Sequence, residues 1–177
     1  MMECTNWSQE DWATLLFTIQ RENCILMLGP DASTEEIDGQ VRPLTEVLAR
    51  ELAERLKPET RQNLDPANLT QVAQYYRMEA GRNDLEARVC SFYEARQQIT
   101  NQIHDDLAAL PFAFTLTSTP DLMFCNALQK QNKTPLTASY NYLGKNPEMV
   151  KMGAMQNWTL DKLLAFPREV LLKMYAL

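Results

Sequence analysis

The chain has 177 residues, 45% of them hydrophobic and 23% charged, which suits one globular domain able to bury its own core. Its net charge is −6, and Lys and Arg are scattered among Asp and Glu without a basic run, so no nucleic-acid partner is expected. Cys4, Cys24, Cys90 and Cys125 form no Cys-x-x-Cys pair and His104 is the single histidine, so neither a metal site nor a disulfide framework is expected, and no apolar run is long enough to span a membrane.

The N-terminus has no basic region leading into an apolar stretch, so no signal peptide is expected and a reducing cytoplasmic location is the default. Ser8, with Asp11 in the following turn, reads as a helix start. Trp12, Leu15, Leu16 and Ile19 then recur at helical spacing, which predicts a helix over 9–21. Cys24-Ile25-Leu26-Met27-Leu28, ending in Gly29-Pro30, predicts a buried strand flowing into a turn. Residues 31–42 are polar and read as a loop, with Glu35 and Glu36 solvated. Pro43 suits a first helical turn, and Leu44, Val47, Leu48, Leu52 and Leu56 form one stripe of a helix over 43–57.

Leu69, Val72, Ala73 and Tyr76 mark a further helix that ends near Gly81. Asn83, with Glu86 three residues on, resembles a capping box for a helix running to about 97. Ile103, Leu107 and Leu110 mark another helix, stopped by Pro111. The segment 112–117 predicts a second strand, and Asp121 is placed to cap a helix holding Leu122, Met123, Ala127 and Leu128. A third strand is expected at 136–142, then short helices at 161–165 and 169–175 divided by Pro167. Strands alternating with helices predict an α/β fold with a parallel sheet, and a helix-rich crossover after the first strand.

Ligands of open α/β sheets sit beyond the carboxyl ends of the strands. Two loops fall there. Gly29-Pro30-Asp31-Ala32-Ser33 has a glycine that could let backbone N–H groups approach a phosphate, yet it has one glycine, no lysine and an acid. The alternative is a plain strand-to-loop turn. Thr117-Ser118-Thr119-Pro120-Asp121 offers hydroxyls and a carboxylate for ribose, or simply a helix cap. No histidine follows to activate a nucleophile. His104-Asp105-Asp106 fits a surface or half-buried histidine better than a metal site, because adjacent helical residues point apart. The methionines of the tail (Met149, Met152, Met155, Met174) suit loose packing or a partner.

The order of these motifs carries a resemblance. A Trp-containing helix leads into Cys24-Ile-Leu-Met-Leu-Gly-Pro30. Pro43-Leu44 through Leu52-Ala53 follows, then Asn68 to Tyr76, His104-x-x-Leu-Ala-x-Leu-Pro-Phe112, and Thr117 to Asp121 with Asn126-Ala127-Leu128. Over residues 7–143 the chain resembles the bacterial SIR2-like domains of conflict and anti-phage proteins. The resemblance implies one SIR2-like domain over 1–177, with 144–177 a divergent tail. It implies a Rossmann-like parallel sheet with helices on both faces, shorter at the C-terminus than the full fold, as a fragment would be. It also implies NAD held by Gly29, Pro30, Asp31, Ala32, Ser33, Thr117, Ser118, Thr119 and Asp121. Active relatives cleave the nicotinamide–ribose bond with an Asn and a His. Here Thr119 stands in the place of the Asn, Asp31 in that of the second loop glycine, and Lys151-Met152-Gly153 brings no imidazole.

Three readings stay open. The first is a noncatalytic SIR2-like sensor or assembly module binding NAD weakly or not at all, alone as an oligomer or with a TIR- or NTPase-type effector. The second is an active NAD hydrolase using Asp121 with Ser118 and Asn141. The third is an interaction module with no nucleotide site.

Overall fold

The computed structural model describes residues 7–112, 114–140 and 170–174. It is a mixed α/β structure whose contacts divide it into two compact units. The first contains Met1–Leu28, Asp105–Ser118 and Ala127–Leu177; the second contains Gly29–His104 and Thr119–Asn126.

The first unit is built on a parallel sheet. Helix α1 (Gln9–Gln20) opens with a capping box in which Ser8 and Asp11 satisfy each other's backbone N–H groups. Strand β1 (Ile25–Leu28) pairs in parallel with β4 (Phe114–Thr117), in the register Ile25↔Phe114 to Leu28↔Thr117. The ladder continues one residue further, where the Ser118 N–H donates to Leu28 O at 3.2 Å. β5 (Leu136–Tyr140) and β6 (Val170–Met174) complete the order β1-β4-β6-β5, with every neighbouring pair parallel. The helix expected at 169–175 is therefore strand β6. A short run such as Val-Leu-Leu-Lys-Met fits either period, and its length favours a strand. The helix expected at 161–165 lies outside the described residues, as do Asn141 and Lys151-Met152-Gly153.

The second unit departs from expectation first at 31–42. This stretch is no loop: β2 (Thr34–Ile37) and β3 (Gln40–Pro43) form an antiparallel hairpin, with Ile37 opposite Gln40. The two-residue turn between them is Asp38-Gly39, with φ of 52° and 75°. Two positive φ values match the twist of the strands, and Asp-Gly is among the strongest short hairpin signals. Glu35 is likewise not a loosely solvated acid. Its carboxylate accepts from Arg96 Nε at 2.9 Å.

The core of this unit lies among α2 (Leu44–Ala53), α4 (Leu69–Ala80) and α5 (Arg82–Glu94). Leu44, Val47, Leu48 and Leu52 of α2 bury the expected stripe against Val72, Tyr76 and Phe92. α2 stops four residues short of 57, and Pro58 opens the four-residue α3 (Pro58–Arg61) as its first residue. The capping box expected at Asn83 does not form. Gly81 sits at the helix start with φ of 88°, Asn83 lies inside α5, and Glu86 pairs with Arg82 at 2.6 Å. Glycine is required at 81 because a side chain would be strained at that φ.

Candidate functional site

The loop after β1 does not remain extended. Gly29 leads into a single 3-10 turn, Pro30–Ala32. Its short period turns backbone donors inward: the Ala32 N–H donates to Gly29 O and the Ser33 N–H to Pro30 O. Pro30 has no N–H to offer. A phosphate cradle needs several N–H groups pointing outward together, and this turn has closed two of them on itself. Gly29 has φ of −91°, within reach of any residue, and nothing lies within 4 Å of where a Cβ would stand.

Within the second unit, Ser33 and Asp121 meet although 88 residues separate them. The Ser33 hydroxyl donates to Asp121 Oδ2 at 2.8 Å, while Asp121 Oδ1 accepts from the Met123 N–H at 3.0 Å. Both residues are buried, Ser33 at 2% exposure and Asp121 at 7%. The second bond ties off the first turn of α7 (Met123–Lys130), the capping role expected of Asp121. Ser33 also holds α2, because its carbonyl accepts from the Leu44 N–H at 2.8 Å. One serine and one aspartate thus fasten the ends of two helices.

A second polar knot supports the same loop. Asn101 Nδ2 donates to Ala32 O at 2.7 Å and to Thr34 Oγ1 at 2.9 Å. Its Oδ1 accepts from the His104 N–H at 2.9 Å, capping the start of α6 (Gln102–Ala108). Asn126 Nδ2 donates to the carbonyls of Gln97 and Ile99. The Tyr93 phenol is pushed up to about 12, chiefly by burial and next by the charge of Asp121, with Arg96 opposing.

The nine residues singled out from the sequence fall in both units. Ser33 and Asp121 are joined, with Ala32 carrying the Asn101 contact. Pro30 and Asp31 form the exposed outer side of the turn. Thr119 is buried at 6% exposure and Pro120 half-buried. Thr117 and Ser118 belong to the first unit, Thr117 buried in β4 and Ser118 exposed beyond it. His104 is not at the surface: it is 1% exposed, its ring 6.0 Å from that of Phe124. Asn101 and Tyr93 escaped the sequence reading. Asn101 carried a usable signal, an N-cap residue just before the apolar-periodic Ile103. Among the described residues no group of three His, Cys, Asp or Glu could hold a metal ion, and no helix is long and apolar enough to cross a membrane. No family model and no curated protein matches the chain.

Proposed function

We propose that this chain is a noncatalytic SIR2-like domain that works as an assembly module of a bacterial defence system. In this reading it is cytoplasmic and acts as an oligomer or beside a TIR- or NTPase-type effector. A Rossmann-like sheet with helices on both faces is the finer fold the reading assumes.

The observation that carries it is the buried Ser33–Asp121 hydrogen bond, with the other Asp121 oxygen engaged by Met123. A ribose or a reacting water would have to displace Ser33 to gain that carboxylate. The sequence supports the same reading. Thr119 replaces the expected Asn, and no imidazole stands at Lys151-Met152-Gly153. A positioned general base is worth roughly a hundredfold to ten thousandfold in rate, so its loss leaves little turnover. A sensor that still binds NAD weakly is favoured by one feature, the open space beside Gly29 with Pro30 and Asp31 exposed.

A proton NMR time course of NAD with the purified chain separates these readings. Sharp, unchanged nicotinamide signals at high protein concentration are expected. Broadening without conversion would replace the assembly module with the sensor. Release of free nicotinamide, abolished by Asp121→Ala, would overturn the noncatalytic reading.

A further inference from the structure

A cavity of about 180 Å³ opens between α2 and α5 and shares no lining residue with the Ser33–Asp121 pair. Its apolar lining includes Leu52 and Phe92, both deeply buried. Three arginines, Arg55, Arg88 and Arg96, line it as well, together with Ser91. Glu51 is the one acid of that lining. Three acids, Glu35, Glu51 and Asp84, pair with two of these arginines.

Two of the three arginines are held by partners of this chain. Arg96 donates through Nε to Glu35 at 2.9 Å, through Nη2 to Glu51 at 3.0 Å and through Nη1 to Phe92 O at 3.2 Å. Its guanidinium also lies 3.7 Å from the centroid of the Phe92 ring. A guanidinium has five N–H donors, and these bonds use three of those on Arg96. Arg88 is held by Asp84 at 3.5 Å, and the Tyr76 phenol, which donates to Asp84 at 2.6 Å, helps to fix it. Arg55 is exposed and makes no salt bridge among the described residues, although its charge acts on Asp84. Two held planar forks and an exposed one, with Leu52 and Phe92 in the same lining, suit an oxyanion that takes several N–H donors at once.

We propose that this cavity binds a small oxyanion of the phosphate class, as free phosphate or a short phosphate monoester. Arg55 closes over it, and the remaining donors of Arg88 and Arg96 and the Ser91 hydroxyl complete the contacts. The site is independent of the NAD question, because it shares no residue with the strand-end loops.

The test is a titration of the intact chain with inorganic phosphate, followed by ³¹P NMR and thermal melting, with sodium chloride keeping ionic strength constant. Glycerol phosphate in a parallel arm assigns the source, since an ester preference would show as tighter binding. Saturable binding is expected, weakened roughly tenfold in Arg55→Gln, the loss of a charge-assisted contact. Arg21→Gln, at the C-terminal cap of α1 beside Phe17, should bind as the wild type does. Arg55→Gln should melt like the wild type without phosphate; if it does not, Ser91→Ala gives a second reading, with an expected loss of a few-fold. Absence of saturable binding, or wild-type affinity in both Arg55→Gln and Ser91→Ala, would overturn the proposal.

Discussion

Two polar regions of the second unit stand in contrast. At Ser33–Asp121 every oxygen of the carboxylate faces a donor from the same chain, and both residues are shut away from water. At the Arg55–Arg88–Arg96 cavity three arginines and one acid line an open space. The first region looked functional in the sequence and behaves as a joint between helix ends. The second carries no sequence signal, because its arginines are 33 and 8 residues apart in the chain and gather only when the segments around α2 and α5 come together. A buried polar group left unsatisfied is expensive, so an internal joint should answer to stability and a cavity rim to ligand.

The sharpest break in that contrast comes from Asp121→Ala. It leaves the buried Ser33 hydroxyl and the Met123 N–H without their acceptor, and should cost about 3 kcal/mol in chemical denaturation. Gly81→Ala comes next, about 2 kcal/mol, because a side chain is forced to φ of 88°. It also loosens the Tyr76–Asp84 contact across the α4–α5 break, so phosphate binding should weaken with it. Tyr76→Phe should cost about 1 kcal/mol by removing the phenol that pins Asp84. Arg55→Gln should stay within about 0.5 kcal/mol of wild type, as an exposed side chain without an ion pair would.

The alkaline limb of stability gives one more probe of the joint. Tyr93 is held neutral up to about 12, whereas an unfolded tyrosine titrates near pH 10. Its raised value stabilises the fold fully below about pH 10, and that contribution is lost as pH rises toward about 12. Tyr93→Phe should therefore flatten the fall in melting temperature over that window.

The helices were easy to read because each buries one stripe: Leu44 to Leu52, Leu69 to Tyr76, Leu85 to Phe92. The polar composition of 31–42 hides the hairpin, although Asp38-Gly39 carries its turn signal. Strand β6 was mistaken for a helix because five residues are too few to show a period. Asp121 as a cap followed from the apolar stripe beyond it. Its bond to Ser33 did not, since no local pattern ties residues 88 positions apart. The same limit hid Arg96, whose partners Glu35 and Glu51 come from a strand and a helix far up the chain.

The most direct measurement is a double-mutant cycle of Ser33→Ala and Asp121→Ala by denaturant unfolding. If the pair is an internal joint, the two losses should fail to add, with a coupling of about 1–2 kcal/mol. Losses that add to within about 0.3 kcal/mol would mean the two side chains act separately, and the closed-loop account would fall.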